Sequence, residues 1–279
     1  MMDTFLLDEQ LRSFLREDLE HGDLTTGAIF TDVSTAVAEF RARENLVCCG
    51  MELVAARIFC LLGGGVEFGR IAADGSRCEN GEVLMTVRGP VGILLRGERV
   101  ALNLVQRLSG IATLTAAFVD RVAGYDVRIV DTRKTTPGLR MLEKYAVRAG
   151  GGRNHRFSLS DGVLIKDNHI AACGSITEAV NRVRSAVPHT TRIEVETEDL
   201  DQVRECLACG VDIIMLDNMG CDVMREAVSL VGSRALTEAS GSVTLENVRE
   251  VAATGVDIIS VGSLTHSAPA VDIGMDWVT

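Results

Sequence analysis

With 279 residues, 47% of them hydrophobic, the chain is long enough for one large α/β domain plus a smaller one and has ample material for a core. A formal net charge of −11 and only 4% aromatic residues argue against nucleic acid as a partner, since that needs a basic face interleaved with aromatics. No uninterrupted apolar run approaches the roughly 20 residues of a membrane span, so no membrane partner is expected. The opening MMDTFLLDEQLRSFLRED is acidic and amphipathic, unlike a secretory or transit leader, and the expected location is cytoplasmic.

In chain order, LDEQLRSFLREDL from Leu7 reads as an amphipathic helix. VAEFRAREN from Val37, GVEFGRIAADG from Gly65 and GEVLMTVRGP from Gly81 read as strands broken by Gly, Asn and Asp, with helical periodicity from Met51 between them. From Gly97 the pattern is one long helix or two. From Val127 strand and helix alternate: VRIVD (Val127), GVLIKD (Gly162), RIEVET (Arg192), DIIMLD (Asp212), RALTEAS (Arg234) and DIISVG (Asp257). Helical patterns begin at Ser175, Asp199, Cys221 and Thr244, and the last three end in glycine, the residue suited to a left-handed cap. Later strands recur every 20 to 23 residues, which suits minimal βα units of a parallel sheet. The expected class is α/β: an N-terminal α/β sandwich over 1–104 and an open, incomplete TIM-like barrel over 105–265. The tail, about 266–279, is expected to return to the first domain.

Eight cysteines are scattered, and the one pair at metal or redox spacing, Cys206 and Cys209, lies in a helical pattern without further ligands; a structural role is expected. Only three lysines occur against twenty-five arginines, and Lys134, Lys144 and Lys166 all fall in a stretch, Arg128 to Lys166, with nine basic and three acidic residues. A basic island in an acidic protein suits a small anionic substrate. Arg140, Lys144 and Arg148 read as a solvated helix face, whereas Arg133, Lys134 and Lys166 end apolar strands.

Sites in parallel barrels collect where the strands end. Those ends carry Asp131-Thr132-Arg133-Lys134, Lys166-Asp167-Asn168-His169, Glu194 with Glu196, Asp217-Asn218, Glu238 with Ser240-Gly241-Ser242, and Gly262-Ser263. Arg133, Lys134, His155, Arg156 and Lys166 offer charge and donors to carboxylates, phosphates and a departing pyrophosphate. Glu196 and Asp217 could hold ribose hydroxyls or share Mg²⁺. Glu194 shares the strand parity of Glu196 but lies deeper, and is expected to pair with Lys166 or Arg133. Backbone amides after the last two strands suit a phosphate. Together these fit a phosphoribosyl diphosphate.

The strings DTRKTTPGLRMLEKYAVRAGGGRNHRFSLSDGVLIKDNHI from Asp131 and EASGSVTLENVREVAATGVDIISVGSLTHSAP from Glu238 resemble the quinolinate phosphoribosyltransferases, as do EDLEHGDLTT from Glu17 and GERVALNLVQRLSGIAT from Gly97. The resemblance implies decarboxylating transfer of phosphoribose to quinolinate in NAD biosynthesis, with Mg²⁺ as cofactor. It further implies a dimer in which one subunit's N-terminal domain caps its partner's barrel and Arg99 reaches the partner's site. Arg133, His155, Arg156 and Lys166 would then line the quinolinate pocket, with Thr132 in the same strand-end group, and Lys134 would assist at the phosphates. Glu196 and Asp217 would meet ribose and Mg²⁺; Ser240, Gly241, Ser242, Val261, Gly262 and Ser263 would hold the 5′-phosphate. The residues expected to carry the chemistry are Lys134, Lys166, Glu196 and Asp217, the protein otherwise supplying orientation and a dry site for loss of CO₂.

The chain departs from that family at Ser242, where a second glycine is common, at Ser158, also usually glycine, and at Val100. Three rival readings remain: a Schiff-base lysine at Lys166, a non-catalytic sugar-phosphate binder, and a relative acting on nicotinate. The full set of charges disfavours the binder, and two arginines for two carboxylates favour the diacid.

Overall fold

The computed structural model describes residues 3–30 and 34–278, which divide into two compact units. The first is drawn from 1–114, 141–151 and 268–279; the second from 115–140 and 152–267.

The chain opens with α1 (Thr4–Leu19), capped by the Asp3 side chain on the Phe5 amide, whose Leu7, Leu11 and Leu15 form one buried stripe. Next come α2 (Leu24–Ile29), β1 (Thr35–Ala42) and β2 (Leu46–Val47), then a π-helical segment, Met51–Ala56, continuing as α3 (Arg57–Leu62). β3 (Glu67–Ile71), β4 (Arg77–Cys78) and β5 (Val83–Pro90) lead into α4 (Val91–Arg121). β6 (Arg128–Val130) is followed by α5 (Arg140–Ala149), β7 (Val163–Ile165), α6 (Asp167–Cys173) and α7 (Ile176–Ala186). Strand and helix then alternate through β8 (Ile193–Thr197), α8 (Leu200–Cys209), β9 (Ile213–Asp217), α9 (Cys221–Val231), β10 (Leu236–Ser240), α10 (Val248–Ala252) and β11 (Ile258–Ser260). The short α11 (Ser263–His266) and β12 (Ile273–Val278) complete the described chain.

In the first unit β12, β1, β5 and β3 form an antiparallel sheet in that order. β1 buries Ala38, Phe40 and Ala42 on alternate positions, the signature of a sheet with one face on the core. α5 belongs with this unit, and its expected solvated face needs correction. Lys144 is buried, as is Glu143, which accepts from Arg107 at 2.7 Å; neither faces solvent. Arg140 is not a free surface group either: it donates to Thr135 Oγ1 and to the carbonyls of Phe157 and Arg133.

α4 is the longest helix among the described residues. Among the described residues it is the one helix long and apolar enough to cross a membrane, although Arg96, Glu98, Arg99 and Arg107 interrupt it. Of its apolar window 61% is buried inside the protein, as suits a core helix.

The second unit holds six parallel strands in the order β6-β11-β10-β9-β8-β7, with helices between them. The first strand pairs with the last, so the opening of the barrel lies between β6 and β7. Residues before β7 reach across it: Arg153 makes a parallel bridge with Val130, its amide donating to Ile129 O at 2.8 Å. The glycines after α8, α9 and after α10, Gly210, Gly232 and Gly255, all have positive φ. All eight cysteines are free thiols; Cys206 is buried, and burial pushes it up to about 12, far from thiolate chemistry.

Candidate active site

A cavity of about 620 Å³ opens at the C-terminal edge of the parallel strands. Thr132, Arg133 and Lys134 line it after β6, His155 and Arg156 before β7, and Lys166 after β7. Glu196, Asp217 and Ser240-Gly241-Ser242 complete its wall from β8, β9 and β10. Each strand end brings a different group because parallel strands terminate in register along one rim.

Four expected residues do not line this cavity. Val261 is buried at the end of β11, its amide donating to Val130 O. Gly262 lies against Lys134, where a Cβ would come within 3.1 Å of Lys134 Cδ, and Ser263 begins α11. Arg99, in the other unit, is exposed on α4.

The loop after β6 is shaped locally. Thr132 Oγ1 accepts from the Lys134 amide at 3.0 Å, and Thr265 Oγ1 donates to the Lys134 carbonyl at 2.8 Å. Asp131, fully buried, accepts from Asn154 Nδ2 at 2.5 Å and from the His155 amide at 2.9 Å. It thereby ties β6 to the segment carrying His155 and Arg156. The sequence placed Asp131 at a strand end but gave it no role, because its partners lie twenty-odd residues on in a loop without periodicity.

Arg133 and Arg156 form a like-charged pair. Burial, with the Arg133 charge next, pulls Arg156 below its ordinary value. Arg133 Nε is buried without a hydrogen-bond partner among the described residues. An unmade bond of this kind costs about 1–3 kcal/mol, which an anionic ligand oxygen would recover.

Lys166 Nζ lies 2.5 Å from Glu196 Oε2, so Lys166 pairs with Glu196 and not with Glu194. Its amide donates to His169 Nδ1 at 2.9 Å, fixing the turn into α6. Glu194 is buried, as expected, but its partner is neither Lys166 nor Arg133: Glu194 Oε2 lies 3.0 Å from His155 Nε2. Glu238, also buried, lies 3.6 Å from the same nitrogen. His155 therefore reaches the two buried glutamates while also lining the cavity beside Arg156.

Asn218 joins the loops after β9 and β10. Its Nδ2 donates to Asp217 at 2.7 Å and its amide to Ser240 O at 2.9 Å. Gly241 has φ 88° and lies so close that a Cβ there would stand 2.2 Å from Asn218 Oδ1; a larger residue would be strained and would displace the Asn218 side chain. Ser242 adopts φ 52°, the conformation that glycine takes more readily, so this departure keeps the loop shape at some strain. Ser158 is absorbed differently: its amide and hydroxyl both donate to Asp161.

Glu196 and Asp217 present carboxylate oxygens from adjacent strand ends. Two carboxylates suit Mg²⁺, which keeps several waters and takes substrate oxygens as further ligands.

Comparison with known proteins agrees with this geometry. Residues 23–109 match the quinolinate phosphoribosyl transferase N-terminal domain and residues 111–276 its C-terminal domain. The chain is 49% identical to a probable nicotinate-nucleotide pyrophosphorylase [carboxylating] of Bacillus subtilis (strain 168), covering 99% of this chain and 94% of the relative. It is 39% identical to quinolinate phosphoribosyltransferase [decarboxylating] 1 of Nicotiana glauca, covering 98% and 82%. Crystalline NadC from Streptococcus pyogenes superposes with a TM-score of 0.95 at 42% identity, covering 100% of this chain and 99% of that one. The chain belongs to the quinolinate phosphoribosyl transferase family.

Proposed function

We propose that this protein transfers phosphoribose from phosphoribosyl pyrophosphate to the ring nitrogen of quinolinate and releases pyrophosphate and CO₂, giving nicotinate mononucleotide for NAD synthesis. The observation that carries the reading is the Arg133–Arg156 pair, two crowded guanidiniums with an unpartnered buried N–H, in a cavity that also holds Lys134, Lys166, Glu196 and Asp217. Two like charges held together suit a dicarboxylate better than a monocarboxylate.

In this reading Arg133 and Arg156 bind the ring carboxylates and orient the pyridine nitrogen toward the anomeric carbon. The loop Ser240–Ser242 receives the 5′-phosphate through its backbone amides, which Gly241 allows to approach closely. Lys134 and Lys166 stabilise the departing pyrophosphate. Glu196 and Asp217 hold the ribose and stabilise positive charge developing on the sugar. Mg²⁺, bound by Glu196 and Asp217, would neutralise pyrophosphate charge. Lys166 must loosen from Glu196 for either to serve, and the substrate's anionic oxygens would draw the ammonium away. Once the ring nitrogen is alkylated, it stabilises the electron pair left at C2 when CO₂ departs.

The reading includes a dimer in which Arg99, exposed on α4, enters the partner's site, and a cytoplasmic location. Purified protein with carboxyl-labelled quinolinate, phosphoribosyl pyrophosphate and Mg²⁺ should release labelled CO₂ in proportion to nicotinate mononucleotide. Turnover of nicotinate but not quinolinate would refute the assignment. Trapping of Lys166 by borohydride with a carbonyl substrate would favour Schiff-base chemistry instead.

A further inference from the structure

Loss of CO₂ leaves C2 of the pyridinium ring with an electron pair and no proton, and none of the roles above supplies one. Beneath the arginines lie three titratable groups that those roles do not use: half-buried His155 and the buried Glu194 and Glu238. The tautomer of His155 follows from its hydrogen bonds. The Arg156 amide donates to His155 Nδ1 at 2.7 Å, so the ring proton is on Nε2. That N–H points at Glu194 Oε2 at 3.0 Å, while Glu238 Oε1, at 3.6 Å, is buried without a hydrogen-bond partner. Glu194 thus accepts from the imidazole N–H, and Glu238 is left beside it with Oε1 unpaired.

We propose that the carboxyl of Glu238 is the acid that protonates C2 of the ring, trapping the carbanion before it recaptures CO₂ and so committing the decarboxylation. Glu238 lines the active cavity from below, together with His155 and Arg156. Burial first, then the charge of Glu194, raises its carboxyl to about 7, with His155 and a hydrogen bond from Ser260 acting in the opposite direction. The charged and titratable groups facing it are Glu194 from β8 and His155 from the segment before β7; Ser260 faces it from β11, and Arg133 and Arg156 share the cavity wall above. The step balances simply. The bond between C2 and its carboxylate breaks, CO₂ leaves, and the electron pair stays on C2 beside the cationic nitrogen. That pair takes the Glu238 proton, leaving Glu238 as carboxylate.

The carboxylate has a route to recover its proton. A second cavity of about 480 Å³ opens at the strand starts, lined by Arg128, Arg192, Ile213 and Ile258. His155, Arg156 and Glu238 line both cavities, so Glu238 stands between substrate and a separate water-accessible chamber. Water there, flanked by basic residues, can return a proton without entering the substrate pocket.

This inference rests on the reaction proposed above, and one experiment separates the two. Wild-type and E238Q protein are mixed with phosphoribosyl pyrophosphate, Mg²⁺ and quinolinate labelled in its 2-carboxyl, and pyrophosphate and CO₂ are timed separately within one turnover. Wild type should release both together. E238Q keeps the shape and polarity of the side chain but is no acid. It should form pyrophosphate within a few-fold of the wild-type rate and release CO₂ about 100-fold more slowly, with quinolinate mononucleotide accumulating. Equal slowing of both products would make Glu238 a purely structural residue and overturn the proposal, as would unchanged CO₂ release, which would make water the donor. If wild type releases neither product, the reaction itself is wrong.

Should E238Q not fold, wild type alone decides. Its CO₂ step should slow as pH rises through about 7 while pyrophosphate formation does not follow the same limb. A CO₂ step indifferent to pH across neutrality would sink the idea. The three ligating groups lie within 4.8 Å of one another, so a cation is the competing occupant. A stoichiometric transition metal in purified wild type, absent from E238Q, would also overturn it.

Discussion

Arg133 and Arg156 are held together at a cost that only an anion offsets, and that cost is what Arg133→Ala probes. Removing one partner of a desolvated charge pair costs on the order of 2–5 kcal/mol. Quinolinate affinity should therefore fall far more than phosphoribosyl pyrophosphate affinity, measured by titration calorimetry with each ligand; equal losses would refute the assignment. Ser242 offers a contrast in backbone strain, since its φ of 52° is accessible to glycine and closed to β-branched residues. Ser242→Gly should change stability by less than about 1 kcal/mol, because relief of strain and added unfolded-state freedom oppose each other. Ser242→Val should weaken phosphoribosyl pyrophosphate binding at least about ten-fold and leave quinolinate binding nearly intact, because it must move the loop. Glu238 carries a pH dependence of its own. With its carboxyl raised from 4.5 to about 7, the folded chain keeps a proton that the unfolded chain gives up. The resulting stability is full below about 4.5 and is lost as pH rises through about 7. The wild-type melting temperature should drop by roughly 5 °C across that window, and E238Q should flatten the slope. A slope unchanged in E238Q would assign it to other groups.

At the scale of elements, periodicity carried much of the architecture. The six parallel strands begin within a few residues of Val127, Gly162, Arg192, Asp212, Arg234 and Asp257, because buried strands bounded by charge and glycine leave a strong local pattern. Cavity-lining groups at their ends were legible for all strands but β11, where Ser260 and not Gly262 or Ser263 lines the cavity. Pairing was not. Nothing local says that β6 lies beside β11, nor that Arg153 bridges to Val130, and those facts decide that His155 meets Glu194. Lys144 misled for a similar reason: a lysine on an amphipathic helix ordinarily faces water, and only long-range packing buries it. Gly110 shows the same dependence on distant chain. Within α4 it has no local reason to be glycine, yet a Cβ there would stand 2.0 Å from the Pro269 carbonyl oxygen. Gly110→Ala should cost at least about 2 kcal/mol and expose the β12 tail to limited proteolysis, because backbone on both sides leaves little room to yield. An alanine variant melting with wild type would show that the tail moves freely.

For the whole molecule, the open question is whether one chain completes a site. Arg99 sits exposed on α4, and the proposed role requires it to reach a second copy. If it does, Arg99→Ala and Lys134→Ala should each be nearly inactive as homodimers, one lacking the donated arginine and the other a residue of its own barrel. Mixed in equal amounts after dissociation and reassembly, half of the dimers would pair one variant with the other. In each mixed dimer one site receives both changes and the other receives neither, so activity should recover to about a quarter of wild type. An Arg99 that merely decorates a helix surface predicts an active Arg99→Ala protein and hence nothing to recover. An inactive Arg99→Ala that fails to complement, with subunit exchange demonstrated by a tag on one variant, would place Arg99 in the site of its own chain. Recovery near a quarter, and its disappearance when both substitutions are carried on the same chain and mixed with either single variant, would leave a shared site as the arrangement that fits.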